Sequence, residues 1–98
     1  MKLATIIADL EHVDDTMCIV AKRPWTPDSD AKLTALTEQL RIPADVLAEG
    51  YAYFLEVSTA IDEVLGDQIA RLTDAQRVEA IIFHAENDAS PDWLSAMR

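Results

Sequence analysis

Apolar residues return every three or four positions at the start of the chain. Leu3, Ile6, Ile7, Leu10 and Val13 line one side of a helix, with Lys2, Asp9 and Glu11 on its other sides. The pattern breaks at Asp14-Asp15. Thr16-Met17-Cys18-Ile19-Val20-Ala21 follows as a short apolar run of strand formers, too short for a helix of its own, and Pro24 ends it. Residues 31–41 carry two patterns at once: Leu33, Leu36 and Leu40 make a helical stripe, whereas Leu33-Thr34-Ala35-Leu36-Thr37 also suits a strand. Periodicity favours helix there. Pro43 and Gly50 bracket one or two helical turns over residues 44–49. The run from Tyr51 to Val57 holds Tyr51, Tyr53, Phe54 and a β-branched residue, a strong strand signal. Simple alternation puts Tyr53, Leu55 and Val57 on one face, and Ala52, Phe54 and Glu56 on the other.

In the second half, Ile61, Val64, Leu65, Ile69 and Leu72 again step by three and four, with Gly66 interrupting. Thr73 and Gln76 form a capping box for a helix through Asp88, whose inner face is Val78, Ile81, Ile82 and Ala85. Ser90-Pro91 opens a short terminal turn docked through Trp93. This order of elements predicts one α+β domain over residues 1–98. A small antiparallel sheet of two or three strands is covered on one face by an N-terminal helix and C-terminal helices.

Composition then narrows the chemistry. The chain has 98 residues, half of them hydrophobic, and 18 acidic against 8 basic residues give a formal charge of −10. That charge repels nucleic acid and anionic membranes and favours basic partners. Cys18 is the one cysteine, which excludes an internal disulfide. With no apolar leader or spanning run, a cytoplasmic protein is expected. His12 and His84 fall on different helices without ligand spacing, so neither metal nor cofactor is expected. Cys18 reads as a structural thiol in an apolar strand. Asp28, Ser29 and Asp30 read as turn and capping residues rather than cation ligands.

The densest local signal is Lys22-Arg23-Pro24-Trp25-Thr26-Pro27-Asp28-Ser29-Asp30. Each proline fixes its own φ and pushes the residue before it toward extended geometry, so the Trp25 indole is held between two stiff points. Trp25 is expected to be a packing anchor over Tyr53 or Phe54. Glu56, set among apolar neighbours, is expected either at a solvent-facing edge or in a buried pair with Lys22 or Arg23. The stretch from Ala21 to Ala31, with Gly50-Tyr51-Ala52-Tyr53-Phe54-Leu55-Glu56-Val57 downstream, resembles a family of small bacterial proteins of unknown function. The resemblance covers about a fifth of the chain and implies a middle strand over 32–37, where this sequence lacks valine and isoleucine. It implies no enzymatic activity and points to a bacterial accessory or immunity-type protein.

Acidic residues gather in three groups: Asp9, Glu11, Asp14 and Asp15; Asp62, Glu63, Asp67 and Asp74; Glu86, Asp88 and Asp92. No nucleophile–base pair, metal cluster or phosphate loop accompanies them, so binding is expected rather than catalysis. The expected function is capture of a basic protein, as by an immunity protein or antitoxin that neutralises a basic toxin. Asp14, Asp15, Asp62, Glu63 and Asp67 are the expected contacts. The alternative is a phage or mobile-element inhibitor that imitates nucleic acid, for which the acids would be spread at phosphate-like spacing.

Overall fold

Leu3, Ile6 and Ile7 are buried as the inner stripe of helix α1 (Leu3–Ala8). In the computed structural model, which describes residues 1–97, that stripe is not one helix. α1 stops at Asp9, and Leu10–His12 forms a single 3₁₀ turn that keeps Leu10 buried. The chain then reverses at Asp14, whose Oδ1 accepts hydrogen bonds from the Thr16 backbone N–H at 2.9 Å and its hydroxyl at 2.7 Å. This side-chain turn releases the chain into the first strand.

The strands β1 (Cys18–Ala21), β2 (Ala31–Thr34) and β3 (Ala52–Glu56) form an antiparallel sheet of order β2-β1-β3. Residues 31–34 are thus strand, against the helical stripe read over 31–41. Ala31 to Thr34 pair residue for residue with Ala21 to Cys18, and this cross-strand ladder outweighs three leucines in helical register. The last of them, Leu40, is 78% exposed at φ 59 in a turn. β2 also ends at Thr34 and lies at a sheet edge, rather than running as a middle strand over 32–37.

β3 carries a bulge. Leu55 pairs with Ile19 but Tyr53 pairs with Val20, so Phe54 is the extra residue. Alternation fails there: Phe54 and Leu55 are both buried although adjacent, while Tyr53 is 45% exposed. The central strand β1 is buried at all four residues, so it is covered on both faces, where cover on one was expected. Ile19 and Ala21 belong to the main core, whereas Cys18 and Val20 are buried outside it.

Helix α2 (Ala44–Ala48) is short and anchored by Val46, and Gly50 leaves it at φ 95, a conformation that favours glycine. Helix α3 (Val57–Thr59) runs directly into a π-helix over Ala60–Leu65, which ends at Gly66, and a 3₁₀ segment spans Gly66–Arg71. The break at Gly66 appears where the sequence placed it. The capping box is formed in full: Gln76 N–H donates to Thr73 Oγ1 at 3.2 Å, and Thr73 N–H donates to Gln76 Oε1 at 2.9 Å. Helix α4 (Asp74–Asn87) follows and buries Val78, Ala80 and Ile81 against α1 and the π-helix. The terminal helix α5 (Asp92–Ser95) docks through fully buried Leu94 together with Trp93, which is partly buried against the core.

Candidate functional site: a groove between α1 and α4

The proline-bracketed loop is tied to the N-terminal helix through its backbone. Leu3 N–H donates to Ser29 O at 2.8 Å, Ala4 N–H to Pro27 O at 2.9 Å, and Ala31 N–H to Met1 O at 2.7 Å. Inside the loop, Ser29 Oγ donates to Pro24 O and accepts from Thr26 N–H, both at 2.8 Å. The Arg23–Pro24 peptide is cis. Trp25 is held as expected of an anchor: it is 9% exposed, its Nε1–H donates to Ala21 O at 3.3 Å, and its ring meets Phe54 edge-on at 4.9 Å and 81°. The Arg23 guanidinium lies 4.0 Å from the Trp25 ring centroid, a cation–π contact.

So placed, Trp25 closes one side of a groove of about 900 Å³ that runs between α1 and α4. From α1 come Ala4, Thr5 and Ala8, and from the loop Thr26 and Pro27. α4 supplies two rows that each step by four residues. One row is Asp74, Val78, Ile82, Glu86; the other is Ala75, Glu79, Phe83, Asn87. The first places a carboxylate at each end of an apolar step. A smaller recess of about 580 Å³, lined by Arg23, Pro24, Trp25, Ala85 and Glu86, continues the groove past Trp25. Phe83 is 40% exposed on this wall. Among the described residues, none of Asp74, Glu79 and Glu86 forms an ion pair. An apolar floor framed by carboxylates that form no ion pair suits a partner that brings apolar side chains and cations together.

The acids expected to bind lie elsewhere. Asp14 and Asp15 sit in the turn before β1, Asp62 and Glu63 in the π-helix, and Asp67 in the following 3₁₀ segment; all five are exposed and none lines the groove. Asp14 is engaged by the Thr16 backbone N–H and hydroxyl, which hold its carboxyl below the usual range. Asp74 and Glu86 belong to the second and third acidic groups of the sequence, while Glu79 and Phe83 stand outside all three. The signal for Phe83 is legible in the sequence: it is a large apolar residue on the side of α4 away from the centre of the Val78, Ile81, Ile82 and Ala85 stripe.

Glu56 does not meet Lys22 or Arg23. Antiparallel pairing sets Glu56 opposite Cys18, whereas Lys22 follows Ala21 at the other end of the ladder. Lys22 pairs instead with Asp30 at 3.6 Å, and its ammonium and that of Lys32 each lie 5.0 Å from the Tyr51 ring centroid. Desolvation raises the Asp30 carboxyl, but the N-terminal ammonium, Lys22 and hydrogen bonds from Tyr51 and the N-terminus outweigh it and leave it lowered. Asp28 pairs with Lys2 at 3.2 Å. The Cys18 thiol is pushed up to about 12 by burial and then by the nearby Glu56 charge, which keeps it in the unreactive thiol form.

His12 pairs with Asp9 at 3.0 Å on the surface, and His84 Nε2 lies 4.0 Å from Asp88. Among the described residues, no three His, Cys, Asp or Glu side chains are grouped to hold a metal, and no helix is long and apolar enough to cross a membrane. The chain matches no protein-family model, no curated protein and no solved structure.

Proposed function

We propose that this protein is a non-catalytic binding protein that captures a basic protein partner in the α1/α4 groove, in the manner of an immunity protein or antitoxin. The observation that carries the reading is the row Asp74, Val78, Ile82, Glu86, in which an apolar floor is flanked by carboxylates that form no ion pair among the described residues. The formal charge of −10 supports it, because a strong negative field raises the association rate of a basic partner. A nucleic-acid mimic needs carboxylates standing in for phosphates along a polar face. Carboxylates that frame exposed Phe83 favour protein capture instead.

Co-purification from the native host tests this with wild type and two charge variants. In one, Glu79 and Glu86 are changed to lysine; in the other, Asp14, Asp15, Asp62, Glu63 and Asp67 are neutralised. A basic protein should be retained by wild type and by the five-site variant, and lost from the groove variant, with an on-rate that falls as salt rises. Loss from the five-site variant alone would move the site to those exposed acids. Capture of an acidic protein or a metabolite would overturn the reading.

A further inference from the structure

We infer that the occupant of the groove is an amphipathic α-helix of about three to four turns, with an apolar stripe in the middle and Lys or Arg toward both ends. This inference rests on the proposed function and specifies the partner's form. The groove's walls are the helices α1 and α4 and the Trp25 loop, and none of the three offers a strand edge. An extended segment laid on Val78, Ile82 and Phe83 would bring unpaired backbone N–H and C=O groups onto an apolar floor. A helix arrives with those groups already satisfied. Its ridges can seat between the row of Ala4 and Ala8 on α1 and the row from Asp74 to Glu86 on α4, and the alanines let its backbone approach closely.

The carboxylates set the length. Asp74 and Glu86 are twelve residues apart on α4, which at the rise of an α-helix is about 18 Å. A small apolar molecule filling the centre would leave both ends unanswered. A helix of similar length answers both when cations stand about three turns apart on its docking side. Glu79, between them, meets a third cation on the flank. A second copy of this chain is a poor occupant, because its own α4 carries Asp74, Glu79 and Glu86 on the exposed side and would set like charges against one another.

The test is a selection from a displayed library of randomised peptides of about sixteen residues, long enough to span α4's exposed row. The wild-type protein is the bait, and a variant carrying Phe83→Asp and Glu86→Lys is the counter-bait. Both substituted side chains are exposed, and circular dichroism with a thermal melt checks that the counter-bait is folded. The expected winners carry apolar residues at spacings of three and four with Lys or Arg near both ends. They bind wild type at least about tenfold more tightly than the counter-bait and gain helicity on binding. Winners that are basic and groove-dependent but proline-rich or alternating overturn the helix and leave the basic-partner reading standing. Acidic winners, or none that distinguish the two baits, overturn both.

Discussion

Trp25 and Ser29 show how much of the molecule turns on single side chains. Trp25 belongs at once to the core, through Phe54, and to the groove wall, as Val78 does from α4. Trp25→Ala should lower stability by about 3–5 kcal/mol, the range for deleting a large buried aromatic, as measured by urea titration. Trp25→Phe keeps much of the packing and loses the bond to Ala21 O, so it should cost less than Trp25→Ala in the same titration. Ser29 is the buried polar residue of the chain's described part, at 9% exposure, and its hydroxyl serves both Pro24 O and Thr26 N–H. Ser29→Ala should cost about 1–3 kcal/mol by the same measurement, because two loop backbone groups lose their partner. Trp25 could be read as an anchor from its prolines, but Ser29 could not be told from Asp28 and Asp30. Only the fold turns one side chain of that run inward and leaves the other two paired with lysines at the surface.

At the scale of elements, the sequence was informative where local chemistry decides and silent where pairing does. The capping box at Thr73 and the stop at Gly66 are set within a few residues, and both appear as read. β2 departs from its helical periodicity because its partner strand, not its own spacing, determines it. The bulge at Phe54 is a matter of register between two strands far apart in sequence, so no count along one strand reveals it. The π-helix over Ala60–Leu65 has the same apolar spacing as an α-helix over so short a span. Its terminator is testable. Gly66 sits at φ 52, ψ −139, a region that residues with a Cβ avoid, although a Cβ placed there meets no atom within 4 Å. Gly66→Ala should therefore destabilise by about 1–3 kcal/mol through backbone strain alone. A thermal melt unchanged from wild type would show that the segment relaxes into another turn.

The whole molecule, 39 × 25 × 23 Å in extent, responds to acid through carboxylates that are exposed yet held below their usual range. Asp14 is lowered first by the backbone N–H and then by the hydroxyl of Thr16; Asp30 is lowered on balance by the N-terminus, Lys22 and Tyr51 against desolvation. A carboxyl depressed in the folded state binds its proton more readily in the unfolded chain. Its contribution is complete above the unfolded value of about 3.9 and disappears as pH falls through the lower folded value. The urea midpoint should fall across that acid window, and Asp14→Asn with Asp30→Asn should flatten the fall. The packing of α1 on α4 also has a consequence in time. The two walls of the groove lie at residues 3–8 and 74–87, so the β1–β2 hairpin can form from local chain while the groove waits for α4 to be made. During synthesis the walls come together only after the hairpin's strands are out, and a ribosome-bound nascent chain that has not yet exposed α4 has no groove to offer.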